Sequence, residues 1–222
     1  NFMKYSFTNR TGGVSTGAFA SLNFGLHVGD DPASVNSNRE GLRTRLGPVQ
    51  FMSQEHGNRI ALIESVIEID PVADSLVTGI PGINLAVQVA DCIPLLLSSN
   101  EAVAAVHVGR KGLVNGVAIR TLALMRDMGA TAISAIIGPA ICGKCYEVSE
   151  EIFNEVVDLH PLAAARRGDG SFALDLPRAL TGLLEDEDVS VSHEGNCTVE
   201  NSQLFSYRRD GVTGRQVGVI SL

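Results

Sequence analysis

The chain contains no tryptophan, and aromatic residues make up only 5% of its 222 positions. Histidine is also scarce, with five residues: His27, His56, His107, His160 and His193. So small a supply does not furnish the many imidazoles of a multicopper oxidase cluster. Positive charge is in deficit, with 17 Lys and Arg against 25 Asp and Glu and a formal net charge of −8. That balance argues against a nucleic-acid-binding face. Long hydrophobic runs are missing too: Leu85–Leu97 is too short and too interrupted to cross a bilayer, so no membrane role is expected. "NFMKYSFTNR" lacks the basic start and apolar middle of a signal peptide, and a cytoplasmic location is expected. The four cysteines, Cys92, Cys142, Cys145 and Cys197, are then expected to be reduced, in a chain large enough to need no disulfide staples.

What is present is a chain that is 45% hydrophobic and free of repeats, long enough to bury a sizeable core. "KYSFT" reads as a first strand, followed by a long loop rich in Gly, Ser, Thr and Asn. "DPASVNSNREGLRTRLG" reads as a helix capped by Asp31 or Ser34 and stopped at Gly47-Pro48. Short strands are expected in "VQFMSQ", "RIALIES", "NLAVQVA", "PLLLSS" and "AVAAVHV". "LVNGVAIRTLALMRDMG" has helical apolar spacing; "ISAIIGP" reads as a strand. Helices are expected in "SEEIFNEVVDLH", capped by Ser149, and in "LDLPRALTGLLEDE". "VSVSHEG", "LFSY" and "RQVGVISL" read as closing strands. The mixture lacks a strict βαβ rhythm and points to α+β with mixed sheets.

The sharpest feature is "LAVQVADCIPLLL", where Asp91 and Cys92 interrupt an apolar strand. A buried carboxylate needs compensation. If Ser99-Asn100 forms a two-residue hairpin turn, Cys92 stands directly opposite His107 on the same face. A turn one residue later changes that register and is expected to separate them. A thiol beside an imidazole is half a zinc site, a Cys–His nucleophile pair, or a core cysteine beside a satisfied histidine. "SQEHGNR" supplies another imidazole, His56. His56, Cys92 and His107 together would leave an open fourth position, the pattern of catalytic zinc, with a bound water of lowered pKa. Asp91 is then placed as a supporting carboxylate or proton carrier.

Two further motifs carry chemistry. "HVGRKGLVNG" sets Arg110 and Lys111 at a strand-to-helix turn suited to an anion. "CGKC", Cys142 to Cys145, has the spacing of a redox or metal-binding pair, but no second CxxC accompanies it. The reading taken there is two incidental thiols.

Read in order, the motifs resemble a known family, the YfiH-like proteins, also called the laccase-domain or polyphenol-oxidase family and the purine nucleoside phosphorylase family. "TGGVSTGAFASLNFGLHVGDDPASVNSNR", "QEHG", "ADCIPLLL", "AAVHVGRKGL", "IGPAICGKCYEV" and "FSYRRDGVTGR" carry the resemblance across nearly the whole chain. It implies a single α+β domain over 1–222 and a zinc ion on His56, Cys92 and His107, with copper less expected. It implies phosphorolysis of adenosine, inosine, guanosine or methylthioadenosine and deamination of adenosine, with purine nucleosides and phosphate as partners. Catalytic roles are expected for Asp91, Cys92 and His107, and substrate contacts for Ser15, Asn23, Arg39 and Lys111. The chain departs from the family where Arg110-Lys111 replaces Trp-Arg and where Glu55 replaces Val. The rival enzymes are a metal-free cysteine hydrolase or deamidase with Cys92 as nucleophile and His107 as base, or a copper-dependent polyphenol oxidase.

Overall fold

The computed structural model describes residues 3–222. Along the chain it forms β1 (Lys4–Phe7), α1 (Pro32–Leu46), β2 (Val49–Gln50), β3 (Ile60–Leu62), β4 (Ser75–Thr78), β5 (Asn84–Val89), β6 (Ile93–Ser98) and β7 (Val103–Val108). Then come α2 (Arg110–Asn115), α3 (Val117–Asp127), β8 (Ser134–Ile137), α4 (Glu150–Leu159), β9 (Ala164–Arg166) and β10 (Phe172–Leu174). The chain closes with α5 (Leu176–Asp186), β11 (Ser190–His193), α6 (Tyr207–Asp210) and β12 (Gln216–Ser221). The fold is α+β. One sheet has four strands in the order β1-β12-β5-β2, another has six in the order β11-β8-β6-β7-β4-β3, and β9 and β10 form a separate hairpin. Both larger sheets mix parallel and antiparallel pairs, with β2–β5, β3–β4 and β8–β11 parallel. Among the described residues no helix is long and apolar enough to cross a membrane.

Period-2 alternation distributes the strands' side chains between layers. In β6 and β7, Ile93, Leu95, Leu97, Ala104, Val106 and Val108 face one cluster, shared with Leu122 and Met125 of α3 and Leu180 and Leu184 of α5. The opposite faces, Leu96, Val103 and Ala105, pack against Leu85, Val87 and Val89 of β5, so the two sheets lie face to face. On the far side of β5, Ala86 meets Leu42 of α1 with Phe24 and Phe51. The order is helix, sheet, sheet, helices. His107 shares the inter-sheet parity of Val103 and Ala105, and so points into the seam between sheets at its open end.

Three local expectations need correction. The hairpin turn is Asn100-Glu101, because Ser99 Oγ accepts the N–H of Glu101 and Ala102 and pins a later turn. Pro94, not Cys92, therefore stands opposite His107. Yet the two side chains still meet. Moving a turn by one residue moves the partner by two, which preserves the face, so Cys92 becomes a diagonal neighbour of His107. The helix expected from Leu113 starts at Arg110 and breaks at Gly116, whose φ of 77° ends α2 and restarts the chain as α3. "LFSY" is not a strand: Ser206 accepts the N–H of Arg209 and caps α6. The side-chain amide of Gln216 satisfies both backbone groups of Phe205 in place of a ladder. Pro94 lies in a central strand, β6. It is tolerated because its missing donor falls where the β6–β8 ladder runs out, beyond the Leu95–Ile137 pair.

Candidate metal centre

Three ligand-type side chains that could hold a metal ion arrive from three segments. His56 sits on the loop between β2 and β3, Cys92 on the link between β5 and β6, and His107 near the end of β7. One donor atom from each lies within 4.8 Å of the others. Cys92 Sγ is 3.9 Å from His56 Nε2. The two imidazoles stand edge to face with centroids 4.6 Å apart. His107 is buried, Cys92 half-buried and His56 exposed, so the group opens toward solvent on one side. Gly109 makes the approach possible, since a Cβ there would sit 2.7 Å from Cys92 Sγ.

The organising group is Asp74, which is fully buried at the start of β4. Its Oδ2 is 2.7 Å from His107 Nδ1 and accepts the backbone N–H of His56 at 2.9 Å. Its Oδ1 accepts the N–H of Glu55 and Gly57. One carboxylate thus fixes the tautomer of one ligand and the loop that carries another. His56 holds a positive φ of 60°, a conformation that costs free energy in a non-glycine residue and that these contacts over-determine. Burial alone would push the Cys92 thiol up, but His107 and His56 outweigh it and bring it down to about 6. Burial would push His107 down, but Cys92 and Asp74 raise it to about 9. Both shifts favour the thiolate of Cys92 beside a protonated His107, and a thiolate is the form in which sulfur binds a metal.

The trio borders a cavity of about 590 Å³, of the size that holds a small organic ligand. His27, Gln54, Gln88, Asp91, Tyr146 and Tyr207 help line it, as do three guanidinium groups: Arg110, Arg208 and Arg215. Burial, followed by the cations and imidazoles around it, lowers the pKa of His27 and keeps it neutral. Burial raises Tyr146, which stays a phenol donor. Gln88 is 4% exposed, and among the described residues its Oε1 has no hydrogen-bond partner.

The other expected residues are placed differently. Asp91 lines the cavity, but its carboxylate accepts hydrogen bonds from Thr198 Oγ1, Ser206 Oγ and the backbone N–H of Arg208, not from His107. The carboxylate that orients His107 is Asp74. Asp91's φ of 111° is held by those three bonds, which tie the 198–208 segment to the floor of the site. Ser15 and Asn23 are buried away from this cavity and converge on Asp30 Oδ2 at 2.6 and 3.0 Å. They brace the N-terminal loop. Arg39 donates to Phe24 O and Asp70 and stacks on Phe51, on the rim of a neighbouring cavity. Lys111 is exposed and does not line the cavity, whereas its neighbour Arg110 does.

Sequence reasoning passed over Asp74 and Arg215. A signal for Asp74 was available, since "VADSLV" puts a carboxylate at the head of an apolar strand, as "VADCIP" does. For Arg215 there was none, because the long closing loop folds back over the site only through tertiary contacts.

Residues 4–222 match the family described as multi-copper polyphenol oxidoreductase laccase. A purine nucleoside phosphorylase of Corynebacterium glutamicum is 42% identical over 228 residues, covering 97% of this chain and 93% of that protein. The crystal structure of Neisseria meningitidis protein NMB0706 superposes with a TM-score of 0.91 at 36% identity, covering 99% and 94% of the two chains. That of the YfiH protein of Bacillus licheniformis gives 0.90 at 31%, covering 99% and 92%. With its motifs in the expected order and its fold shared over nearly its full length, the chain belongs to the YfiH-like family, described as multi-copper polyphenol oxidoreductase laccase.

Proposed function

We propose that the protein is a zinc-dependent purine nucleoside phosphorylase that also deaminates adenosine. One observation carries the reading. Two imidazoles and a thiolate converge at the edge of a cavity that also presents three guanidinium groups, in a chain 42% identical to a protein named purine nucleoside phosphorylase. The donor set fits zinc: two neutral nitrogens, one thiolate, and a carboxylate holding the far nitrogen of one ligand. It does not fit a multicopper cluster, which needs more imidazoles than the two gathered here. When bound, the ion would supply Lewis acidity and a route to a more nucleophilic oxygen at neutral pH.

The chain's own residues supply the rest. In phosphorolysis a phosphate oxygen bonds to the ribose C1′ as the bond to the base nitrogen breaks. The bonding pair leaves with the purine, giving free base and ribose 1-phosphate. Arg110, Arg208 and Arg215 hold and neutralise the phosphate; a guanidinium can do so with two parallel N–H bonds, whereas a lysine cannot. Arg208 also stacks over the Tyr146 ring at 5.1 Å, fixing both side chains. Tyr146 keeps its phenolic proton as a donor, and neutral His27 offers a polar edge for the base and sugar. In deamination, water adds at C6 of adenine and ammonia leaves.

A second reading has one observation in its favour. Cys92, His107 and Asp74 also make a thiolate–imidazolium–carboxylate series, as in a cysteine hydrolase. The deciding experiment incubates zinc-loaded and chelator-treated protein with a panel of purine nucleosides, with and without phosphate, and separates the products by chromatography. Base plus ribose phosphate appearing only with zinc and phosphate supports phosphorolysis, and inosine from adenosine supports deamination. Neither product with any nucleoside would refute the proposal.

A further inference from the structure

A second group of ligand-type side chains lies outside the nucleoside cavity. Cys142, Cys145, Cys197 and Glu200 bring three sulfurs and a carboxylate oxygen within 4.8 Å of one another. The topology accounts for the meeting. β8 and β11 are parallel neighbours, with Ile137 paired to His193 at their ends. The loops that leave these two ends carry Cys142 and Cys145 on one side and Cys197 and Glu200 on the other. Each loop contributes its pair at a spacing of three, and each closes as a tight turn. Cys145 N–H and Tyr146 N–H donate to Cys142 O, and Asn201 N–H donates to Cys197 O. The CGKC motif therefore has the partner that the sequence lacked, a CxxE turn 55 residues on. The backbone N–H of Cys142 donates to Cys197 Sγ at 3.4 Å. Cys145 Sγ is 3.6 Å from Glu200 Oε1. Lys144 and Arg166 border the same recess and offset negative charge.

We infer that Cys142, Cys145, Cys197 and Glu200 form a second, sulfur-rich zinc site with a structural role, distinct from the His56–Cys92–His107 group. Zinc bonded to sulfur at about 2.3 Å in a tetrahedron puts its ligands about 3.8 Å apart, so the four atoms need to close by only about 1 Å. The thiols release their protons to solvent as the ion binds. With four protein ligands the site is closed, unlike the three-ligand group at the cavity. Its effect reaches the cavity through both loops. Tyr146 follows Cys145 directly and lines the cavity, and Thr198 follows Cys197 and donates to Asp91. The ion would clamp the ends of two sheet strands and hold one wall of the nucleoside site.

The test uses the full chain, purified under reducing conditions, dialysed against Zn²⁺ and analysed by mass spectrometry of the metal. Two zinc ions per chain are expected, one in the Cys145→Ser/Cys197→Ser variant and one in Cys92→Ala. With Co²⁺ in place of zinc, sulfur-to-metal charge-transfer absorption should be stronger in Cys92→Ala, which keeps three thiolates, than in the double variant, which keeps one. Should the double variant not fold, Glu200→Gln is read by chelator competition, and weaker retention of one of the two ions is expected. One zinc per chain, lost with Cys92 and indifferent to Cys145, Cys197 and Glu200, would overturn the inference. So would a Cys142–Cys145 or Cys142–Cys197 disulfide in freshly reduced protein exposed to Zn²⁺.

Discussion

Asp74→Asn tests the architecture of the first site most directly, because the change is nearly isosteric and the side chain is fully buried. The carboxylate makes four contacts: Glu55 and Gly57 N–H on Oδ1, His56 N–H and His107 Nδ1 on Oδ2. An amide has one acceptor oxygen and one donor NH₂. If the oxygen keeps Glu55 and Gly57, the NH₂ faces the His56 N–H and forces His107 Nδ1 to act as acceptor. The proton then moves to Nε2, the nitrogen that must be bare to bind a metal. If the amide flips, the NH₂ faces two backbone N–H groups instead. Either way about two charge-assisted hydrogen bonds are lost at about 1.5–3 kcal/mol each, so a loss of about 3–6 kcal/mol in folding stability is expected. Where the loop relaxes instead, the cost moves to the ligands, and metal affinity falls by about 10–100-fold. Denaturant unfolding of the metal-free variant and Zn²⁺ competition against a chromophoric chelator measure the two parts. Wild-type stability together with wild-type zinc affinity would refute the assignment of Asp74 as the group that sets the His107 tautomer and the 55–57 loop.

Three other outcomes follow from the same geometry. Gly109→Ala pushes a methyl group to 2.7 Å from Cys92 Sγ; it should cost about 1–3 kcal/mol in overpacking and lower zinc affinity more than it lowers Tm, as chelator competition and thermal melts will show. Asp91→Asn should lose under about 1 kcal/mol, because the hydroxyls of Thr198 and Ser206 can turn to accept from the amide while its oxygen keeps the Arg208 N–H. A large loss of kcat with intact stability would then identify Asp91 as a proton carrier, whereas unchanged kcat would limit it to bracing the 198–208 segment. In metal-free protein, the Cys92 thiolate absorbance, taken as the difference from Cys92→Ala, should disappear as pH falls through about 6. The signs of the two linkages oppose each other. A depressed Cys92 stabilises the fold fully above its ordinary 9.0 and loses that contribution as pH falls through about 6, whereas a raised His107 does so below its ordinary 6.5 and loses it as pH rises through about 9. Unfolding free energies between pH 6.5 and 9 should therefore carry no slope from this pair, and a steep slope abolished by Cys92→Ala would contradict the pairing.

The strands that build the core were legible because their alternation is a local property. β5, β6, β7 and β12 stand where their branched apolar runs put them. The helix caps Asp31 and Ser149 were legible for the same reason, since a cap acts within three residues. β4, β9 and β10 were not, because they are three or four residues long and owe their extension to neighbours already in place. The association of Cys92 with His107 shows what register arguments can carry. The turn was misplaced, but an error of one residue at a two-residue turn leaves the face unchanged, so the convergence survived. Which of Arg110 and Lys111 lines the cavity was out of reach for the opposite reason. Arg110 and Lys111 differ only in which side of α2 they occupy, and a six-residue helix has too short a periodicity to distinguish the side facing the cavity from the side facing water.

The two buried aspartates of the cavity region explain why "VAD" recurs before β4 and at the end of β5. Each ends its apolar context with a carboxylate that gathers donors from elsewhere in the chain: Asp74 from the 55–57 loop and β7, Asp91 from Thr198, Ser206 and Arg208. A buried charge persists only where its hydrogen bonds are satisfied, so each carboxylate selects the loop conformations that supply them. Asp74 thereby sets the candidate metal ligands His56 and His107, and Asp91 sets the segment carrying Arg208. The division of labour separates the variants kinetically. Damage at Asp74 should appear first as lost metal, whereas damage at Asp91 should appear as a raised KM for phosphate with the metal retained.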